Sequence, residues 1–312
     1  MASTINASTS SGIVQTADTS GVLQLQTANT TALSISSAQA VSITNDASIS
    51  GLTVGKGAGS VATNTALGSG ALSANTTAAY NTAIGKNALN VTTTGEQNTA
   101  VGYASLSNGT GSYNTAIGWQ ALYSQVGNAT NNALGYQSLY SNTTGQQNTG
   151  IGSRALYSNT TGTENTAVGF DAMYYNTTGT NNTATGLYSL YANTTGGSNV
   201  AFGVSALQSN TTANANTAVG YQAGYSNTTG TPIDAFGYQA LLANTTGGGN
   251  SAFGTQALTT NTTGGANVAM GQSSLQNNST GNYNTSIGAN ALLNNTTASN
   301  NTAVGYQAGY SN

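Results

Sequence analysis

The sequence predicts an all-β fold, a parallel β-roll or β-solenoid of stacked repeats, on three observations. The chain repeats every 17 residues from about residue 64 to its last residue, apart from one spacing of 16. A unit this short cannot bury its own apolar face, so the copies must stack on one another. Gly, Asn and Thr recur throughout, and Gly alone costs about 1 kcal/mol against Ala inside a helix. Apolar positions keep their register while charge is almost absent, which disfavours disorder.

Each repeat is marked by a Gly that follows an apolar residue. Numbered from its first Asn, the unit reads Asn, Thr, Ala, apolar, Gly, two variable residues, Ala or Ser, Leu, two variable residues, Asn, Thr, Thr, Gly and two variable residues. We call these positions columns one to seventeen and each repeat a coil. The marker Gly residues predict about fifteen coils, and they are Gly68, Gly85, Gly102, Gly118, Gly135, Gly152, Gly169, Gly186, Gly203, Gly220, Gly237, Gly254, Gly271, Gly288 and Gly305.

Columns one to five and eight to eleven are predicted to form two strands per coil. Thr, Val, Ile and Tyr suit a pleated sheet, and the Asn-Thr-Thr-Gly run has turn chemistry, with Gly free to take a positive φ. Equivalent strands would lie parallel and in register about 4.8 Å apart, so the coils would build a rod of roughly 70 Å. Asn side chains repeated at one column would form hydrogen-bonded ladders along the rod.

The apolar residues come as neighbours, Ala before the apolar residue of column four and Ala or Ser before the Leu of column nine. Neighbours on a strand point to opposite faces, so we expect Val, Ile and Leu to fill the interior and Ala and Ser to form an outer stripe. A stripe of small residues would let another backbone approach closely, which predicts a parallel homo-oligomer. A monomeric solenoid whose Ala stripe is a tight corner is the alternative.

Residues 1–50 lie outside the repeat, yet polar and apolar residues alternate at 22–26 and 40–44 with the period of a half-buried strand. We therefore predict two domains. Residues 1–50 form an N-terminal β module at the attachment end, and residues 51–312 form the repeat shaft.

The composition disfavours most chemistry. The chain has three Lys or Arg, six Asp or Glu, and no His or Cys, so we expect no enzyme, no cofactor and no metal site. The carboxylates are scattered, and we expect them on solvated surface positions. Lys56, Lys86 and Arg154 are too few and too far apart to bind nucleic acid. No apolar run approaches the roughly 18 residues that span a bilayer, and the first residues lack signal-peptide features, so we expect neither membrane insertion nor secretion.

Several repeats resemble known proteins. Asn-Thr-Ala-Ile-Gly at 81–85 and 114–118, and Asn-Thr-Ala-Val-Gly at 98–102, 165–169 and 216–220, resemble the Asn-Ser-Val-Ala-Ile-Gly signature of trimeric autotransporter adhesin heads. That resemblance implies a left-handed parallel β-roll with three chains side by side. The 17-residue unit is longer than the usual adhesin coil and has one residue fewer before Ala-Ile-Gly.

Tandem units with Tyr-Gln-Ala, as at 221–223 and 238–240, look like repeats of bacteriophage tail-fibre and other virion proteins. This resemblance implies a structural fibre protein of a phage or virus. It would be a rigid trimeric rod in the virion, serving as tail fibre or shaft for host attachment and joined to other virion proteins at its N-terminal end. The alternative is the head of a trimeric autotransporter-type adhesin on the bacterial surface. The lack of a secretion signal favours the virion.

One column suggests a binding surface. Tyr123, Tyr140, Tyr157, Tyr174 and Tyr191 occupy column ten of five successive coils, and aromatic faces can stack on sugars while the hydroxyl stays hydrated. They form a candidate contact ladder for a host glycan or receptor. Aromatic stacking between neighbouring strands can equally stabilise the rod without any ligand.

The Asn-Thr-Thr runs carry two further patterns. Paired Thr residues at 160–161, 177–178 and 194–195 are compatible with an ice-binding solenoid. This function is less favoured, because adjacent Thr side chains point to opposite sides and the following Gly indicates a turn. The same runs match N-glycosylation acceptors at Asn142, Asn159, Asn176 and Asn193, among others.

Overall fold

The computed structural model describes residues 23–27, 30–35, 41–42, 46–49, 52–127 and 129–311. Strands β1 (Leu23–Thr27), β2 (Thr30–Ile35) and β3 (Val41–Ser42) form a small antiparallel sheet in sequence order. The two alternating segments predicted as strands fall partly on β1 and β3. Residues 1–22, 28–29, 36–40, 43–45 and 50 of the predicted N-terminal module lie outside the described residues.

A second sheet begins with an antiparallel hairpin of β4 (Ala47–Ile49) and β5 (Leu52–Gly55), and β5 pairs antiparallel with β6 (Thr65–Leu67). A short 3-10 turn, η1 (Ala58–Ser60), lies between β5 and β6. The Asp46 carboxylate accepts hydrogen bonds from the backbone N–H groups of Lys56 and Gly57, at 2.7 and 2.8 Å. Through the pairing of β5 with β6, the hairpin lies beside the first coil of the repeat.

From β6 onward each coil contributes one short strand, and each strand pairs with the next in parallel register, Thr on Thr and Ala on Ala. The sequence prediction of an all-β parallel β-solenoid with 17-residue repeats is confirmed. The further strands are β7 (Thr82–Ile84), β8 (Thr99–Val101), β9 (Thr115–Ile117), β10 (Asn132–Leu134), β11 (Thr149–Ile151), β12 (Thr166–Val168), β13 (Thr183–Thr185), β14 (Val200–Phe202), β15 (Thr217–Val219), β16 (Ile233–Phe236), β17 (Asn250–Phe253), β18 (Val268–Met270), β19 (Thr285–Ile287) and β20 (Thr302–Val304).

The prediction of two strands per coil is wrong, because columns eight to eleven form a turn. The residues of columns seven and nine take left-handed φ values, 53° at Asp171 and 52° at Met173. The left-handed residues at these two positions turn the chain back toward the start of the next coil. An extended strand over the same columns would not turn, and the coil could not close within 17 residues. The turns still bond between coils, since the Leu122 N–H donates to the Ser138 carbonyl at 2.9 Å.

The predicted distribution of side chains between the two faces is also wrong. The interior holds the small residues of columns three and eight together with the Leu of column nine, and Ala167, Ala172 and Met173 are fully buried. Column four points outward. The interior has little room at column three, because a Cβ on Gly150, which takes the place of Ala there, would lie 2.5 Å from the Ser138 hydroxyl and 3.4 Å from Leu139 Cγ. Column three holds only Ala, Gly or Ser, and no Ala and Ser stripe is left outside.

The marker Gly of column five is required by the approach of successive coils. Its φ lies between 126° and 142° along the rod. A Cβ on Gly118 would lie 2.4 Å from the carbonyl oxygen of Gly135 in the next coil. No other residue type fits this position without moving the backbone.

Two ladders of buried Asn side chains hold the Asn-Thr-Thr-Gly turn from inside. In column one, the Asn165 N–H donates to Asn148 Oδ1 at 3.0 Å. In column twelve, Asn176 Nδ2 donates to Asn159 Oδ1 at 2.9 Å. The side chains of Asn165 and Asn176 both also donate to the Gly179 carbonyl, at 2.8 and 3.1 Å. Two amides of one coil therefore fix the same turn.

The column-twelve ladder runs without a break from Gln125 to Asn295. Among the described residues, the only buried side-chain acceptors without a hydrogen bond are the Oδ1 atoms of Asn75 and Asn295. The potential N-glycosylation acceptors belong to this ladder and are fully buried, so they serve as turn residues in the folded chain; they include Asn142, Asn159, Asn176 and Asn193.

Candidate functional site

The outer surface of the parallel sheet carries two neighbouring columns of large apolar side chains, which we call the apolar face. Column four supplies Ile117, Leu134, Ile151, Phe202, Phe253, Met270, Ile287 and Val304 as exposed residues. Column six supplies Tyr103, Trp119, Tyr136, Phe170, Leu187, Val204, Tyr221, Tyr238 and Tyr306. Column five between them has no side chain. The apolar face follows the rod from its first coils to its last.

Side chains of the apolar face stack on their equivalents in adjacent coils. The ring centroids of Tyr103 and Trp119 lie 4.1 Å apart, and those of Phe236 and Phe253 lie 4.9 Å apart. At about 4.8 Å per coil and about 10 Å across, the face covers on the order of 700 Å². A typical monomer leaves no apolar patch larger than about 300–600 Å².

The predicted tyrosine contact ladder forms a continuous ring stack on the turn of columns eight to eleven. Centroid distances from Tyr123 through Tyr140, Tyr157 and Tyr174 to Tyr191 are 5.2, 5.2, 5.0 and 5.6 Å, and the first three pairs are parallel within 7°. All five side chains are half-buried. Each inner ring has a neighbour on both faces, so a sugar could reach only ring edges and hydroxyl groups there. Glycan contact by this ladder stays a prediction.

Sequence reasoning missed an ion pair in column seven. The Arg154 guanidinium donates to both carboxylate oxygens of Asp171, at 2.8 and 2.7 Å. The Asp171 side chain is only 4% exposed, so the expectation of a solvated carboxylate is wrong for this residue. The Arg154 guanidinium carbon also lies 5.2 Å from the ring centroids of Phe170 and Tyr174. The spacing of 17 between Arg154 and Asp171 was the signal that could have revealed the pair.

The ladder ends in an aromatic cluster in which the rings turn edge to face. Tyr175 meets Tyr174 at 4.7 Å and Tyr191 at 5.1 Å, and Tyr188 meets Tyr191 at 5.4 Å and Phe170 at 5.9 Å. Burial, followed by a hydrogen bond with Tyr175, raises the pKa of Tyr191 to about 12. The cluster therefore keeps this phenol protonated well above neutral pH.

The neighbouring charges are shifted as well. Burial raises the pKa of Asp171, and the hydrogen bond and charge of Arg154 only partly offset it. Burial acts to lower the pKa of Arg154, but the hydrogen bond and charge of Asp171 outweigh it and the pKa is raised. Both partners thus face a cost of desolvation that their mutual contact reduces.

The paired Thr residues do not form two free rows of hydroxyls. In column thirteen, Thr160 Oγ1 donates to the Thr177 carbonyl at 3.1 Å, and Thr177 Oγ1 donates to the Thr194 carbonyl at 3.0 Å. Column fourteen, with Thr161 and Thr178, is exposed. A single row of exposed Thr residues is what remains for a surface array, and ice binding stays a prediction.

No protein-family model, curated protein or solved structure matches this chain. No helix within the described ranges is long and apolar enough to cross a membrane. The described residues likewise contain no group of three or more Asp or Glu placed to hold a metal ion.

Proposed function

We propose that the chain is a structural fibre protein whose rods associate side by side, in parallel, through the apolar face. The observation that carries the proposal is column four. Its residues project away from the interior and are half-buried or exposed, yet fourteen of the fifteen are apolar and only Thr185 is polar. Packing within one chain does not demand this identity, whereas burial against a second chain does.

The size of the apolar face suits a stable assembly. Three such faces turned toward one axis would together remove on the order of 2,100 Å² from water, whereas a standard specific interface buries about 1,200–2,000 Å². Copies in parallel register would place equivalent columns against one another at every coil. In a closed cyclic assembly the apolar face of every chain is covered by its neighbours. The resemblance to adhesin heads implies three chains and a left-handed roll.

The rod itself suits a shaft. Backbone hydrogen bonds join successive coils in the strands, in the turns and in the Asn-Thr-Thr-Gly runs, so the described repeat contains no obvious hinge. A solenoid of this kind transmits force along its axis and separates its two ends by roughly 70 Å. We place it in a phage or virus particle, as a tail fibre or shaft that brings a host-binding end away from the body. A bacterial surface adhesin head is the second candidate, on the same resemblance.

Native mass spectrometry and light scattering test the association directly. We expect three times the chain mass of 30.9 kDa. Combined Ile117→Lys, Leu134→Lys and Ile151→Lys substitutions place charge on the apolar face and should release monomers. A matched variant, Thr144→Lys, Thr161→Lys and Thr178→Lys, places the same charge in exposed column fourteen of nearby coils and should leave the trimer intact. A wild-type chain that stays monomeric would refute the proposal.

The two candidate locations are separated by labelling. Gold-conjugated antibody against the repeat should decorate fibres on purified virus particles in negative-stain images. Labelling confined to the bacterial envelope would replace the virion with the adhesin, while the self-association result would stand.

A further inference from the structure

The tyrosine ladder stacks five phenol rings in succession, whereas the stacked pair Tyr221 and Tyr238, at 5.4 Å and 12°, has only two rings. Tyr140 and Tyr157 lie 5.2 Å apart with an angle of 6° between their planes. By contrast, Tyr113 and Tyr283 are 56% and 67% exposed and take part in no ring stack among the described residues. The ladder is therefore set apart by the number of phenols in one stack and not by exposure.

We propose that the ladder is a site of oxidative cross-linking, in which a one-electron oxidant of the peroxidase class joins tyrosines of successive coils as dityrosine. Two neighbouring phenols each give one electron and one proton to the oxidant, which reduces hydrogen peroxide to water. The two phenoxyl radicals form a carbon–carbon bond between the ring carbons next to the hydroxyls. Each ring then returns its displaced ring hydrogen to its own oxygen, so the product has lost two hydrogen atoms overall.

The fold favours coupling at this place for two reasons. Column ten lies on the turn and not on the strand, and its five tyrosines are only half-buried, so the phenol edges reach the surface. A radical formed on any inner ring also has a second phenol on each side, at 5.0 to 5.6 Å. Coupling therefore needs only side-chain rotation.

The consequence is a covalent bond between coils in a chain that has no Cys. Each dityrosine closes a loop of 17 residues, and cross-links of this kind restrict the unfolded chain. The proposal does not depend on self-association, because both partners belong to one chain.

Arg154 lies between Tyr140 and Tyr157 in the sequence, so a tryptic digest can show whether these two tyrosines are joined. Trypsin cleaves there and yields peptides 87–154 and 155–312. We would oxidise the folded protein with photo-activated tris-bipyridyl ruthenium and persulfate, isolate the band of single-chain mass on a denaturing gel, and digest it. The expected product is peptide 87–154 joined to 155–312, lighter than the sum of both by two hydrogen atoms.

Two variants and one condition complete the test. Tyr140→Phe should abolish the joined product, whereas Tyr113→Phe, in the same tryptic peptide, should preserve it. Oxidation in concentrated urea should lower its yield at least several-fold, because the stack is lost. The proposal is overturned by oxidised wild-type protein without the joined peptides, by their persistence in Tyr140→Phe, or by an equal yield from the unfolded chain.

Discussion

The interior and the outer surface of each coil obey different constraints, although both come from the same repeat. Column three, inside, is Ala in every coil except at Gly150 and Ser286, while column six, outside, ranges from Lys86 to Trp119 and Gln272. A thin, close-packed interior accepts one side-chain volume. Column four breaks the rule, because it lies outside and yet stays apolar. The comparison teaches that an outer column that stays apolar points to a contact beyond the chain.

The sharpest way to test this division is to truncate one Leu on each side of the same coil. Leu139 fills column nine and is fully buried, and Leu134 in column four is 47% exposed. Leu139→Ala should lower the free energy of unfolding by about 3 kcal/mol, from lost burial and the remaining cavity. Leu134→Ala should change the stability of the isolated chain by less than about 0.5 kcal/mol.

Urea denaturation of both variants, at concentrations where the chain is monomeric, measures the difference. Equal losses from both variants would mean that column four belongs to the core of the single chain, and the argument for an outer contact face would fall.

The Asn ladders test whether the interior depends on hydrogen bonds as well as volume. Asn176→Ala removes the donor to Asn159 Oδ1 and to the Gly179 carbonyl, and the acceptor of Asn193 Nδ2. Leaving such buried groups unpaired should cost about 2 kcal/mol or more.

Asn277→Ala is the control, because it removes a hydrogen bond of similar length at an exposed position. In the wild type, Asn277 Nδ2 donates to Asn294 Oδ1 at 3.0 Å. We expect a change below about 0.5 kcal/mol in the same denaturation measurement. A small effect of Asn176→Ala would show that water can enter and replace the ladder.

Much of this architecture was predictable because the period is a property of the sequence itself. Stacking at 17 residues places Asn on Asn and Tyr on Tyr whatever the path of the chain between them. The assignment of faces failed because the alternation rule holds only for extended residues. Left-handed residues at columns seven and nine turn the Leu of column nine inward, and no local signal announces that Leu89 or Leu106 takes φ near 50°. The ion pair of Arg154 and Asp171 could have been predicted, because the two residues are 17 positions apart and occupy column seven of successive coils.

One irregular coil shows how the interior accommodates a change. Column nine holds Gly224 in place of Leu, and column one of the following coil holds buried Ile233 in place of Asn. A Cβ on Gly224 would lie 3.3 Å from Ile233 Cδ1 and 2.9 Å from Leu207 Cδ2. Ile233 thus occupies space that a column-nine Leu takes in other coils.

The two positions should therefore be coupled. Gly224→Leu alone overfills the core, and Ile233→Asn alone leaves a cavity, so each should cost about 1–3 kcal/mol. Together they restore the regular repeat, and the double variant should be more stable than the sum of the singles by about 1 kcal/mol or more. Strict additivity in the double-mutant cycle would contradict this account of the irregular coil.

The smallest expected effect concerns the outer aromatic cluster at alkaline pH. The pKa of Tyr191 is raised from 10.0 to about 12 in the folded chain, so the folded state holds this proton more tightly than the unfolded state does. The stabilising contribution is present below the unfolded pKa near 10 and is lost as pH rises toward 12. The urea midpoint of the wild type should fall between about pH 9.5 and about pH 11.5 more steeply than that of Tyr191→Phe.

Tyr283→Phe, at an exposed ring outside any stack, should follow the wild type. Identical slopes for wild type and Tyr191→Phe would mean that in solution Tyr191 is neither buried in the aromatic cluster nor hydrogen-bonded to Tyr175.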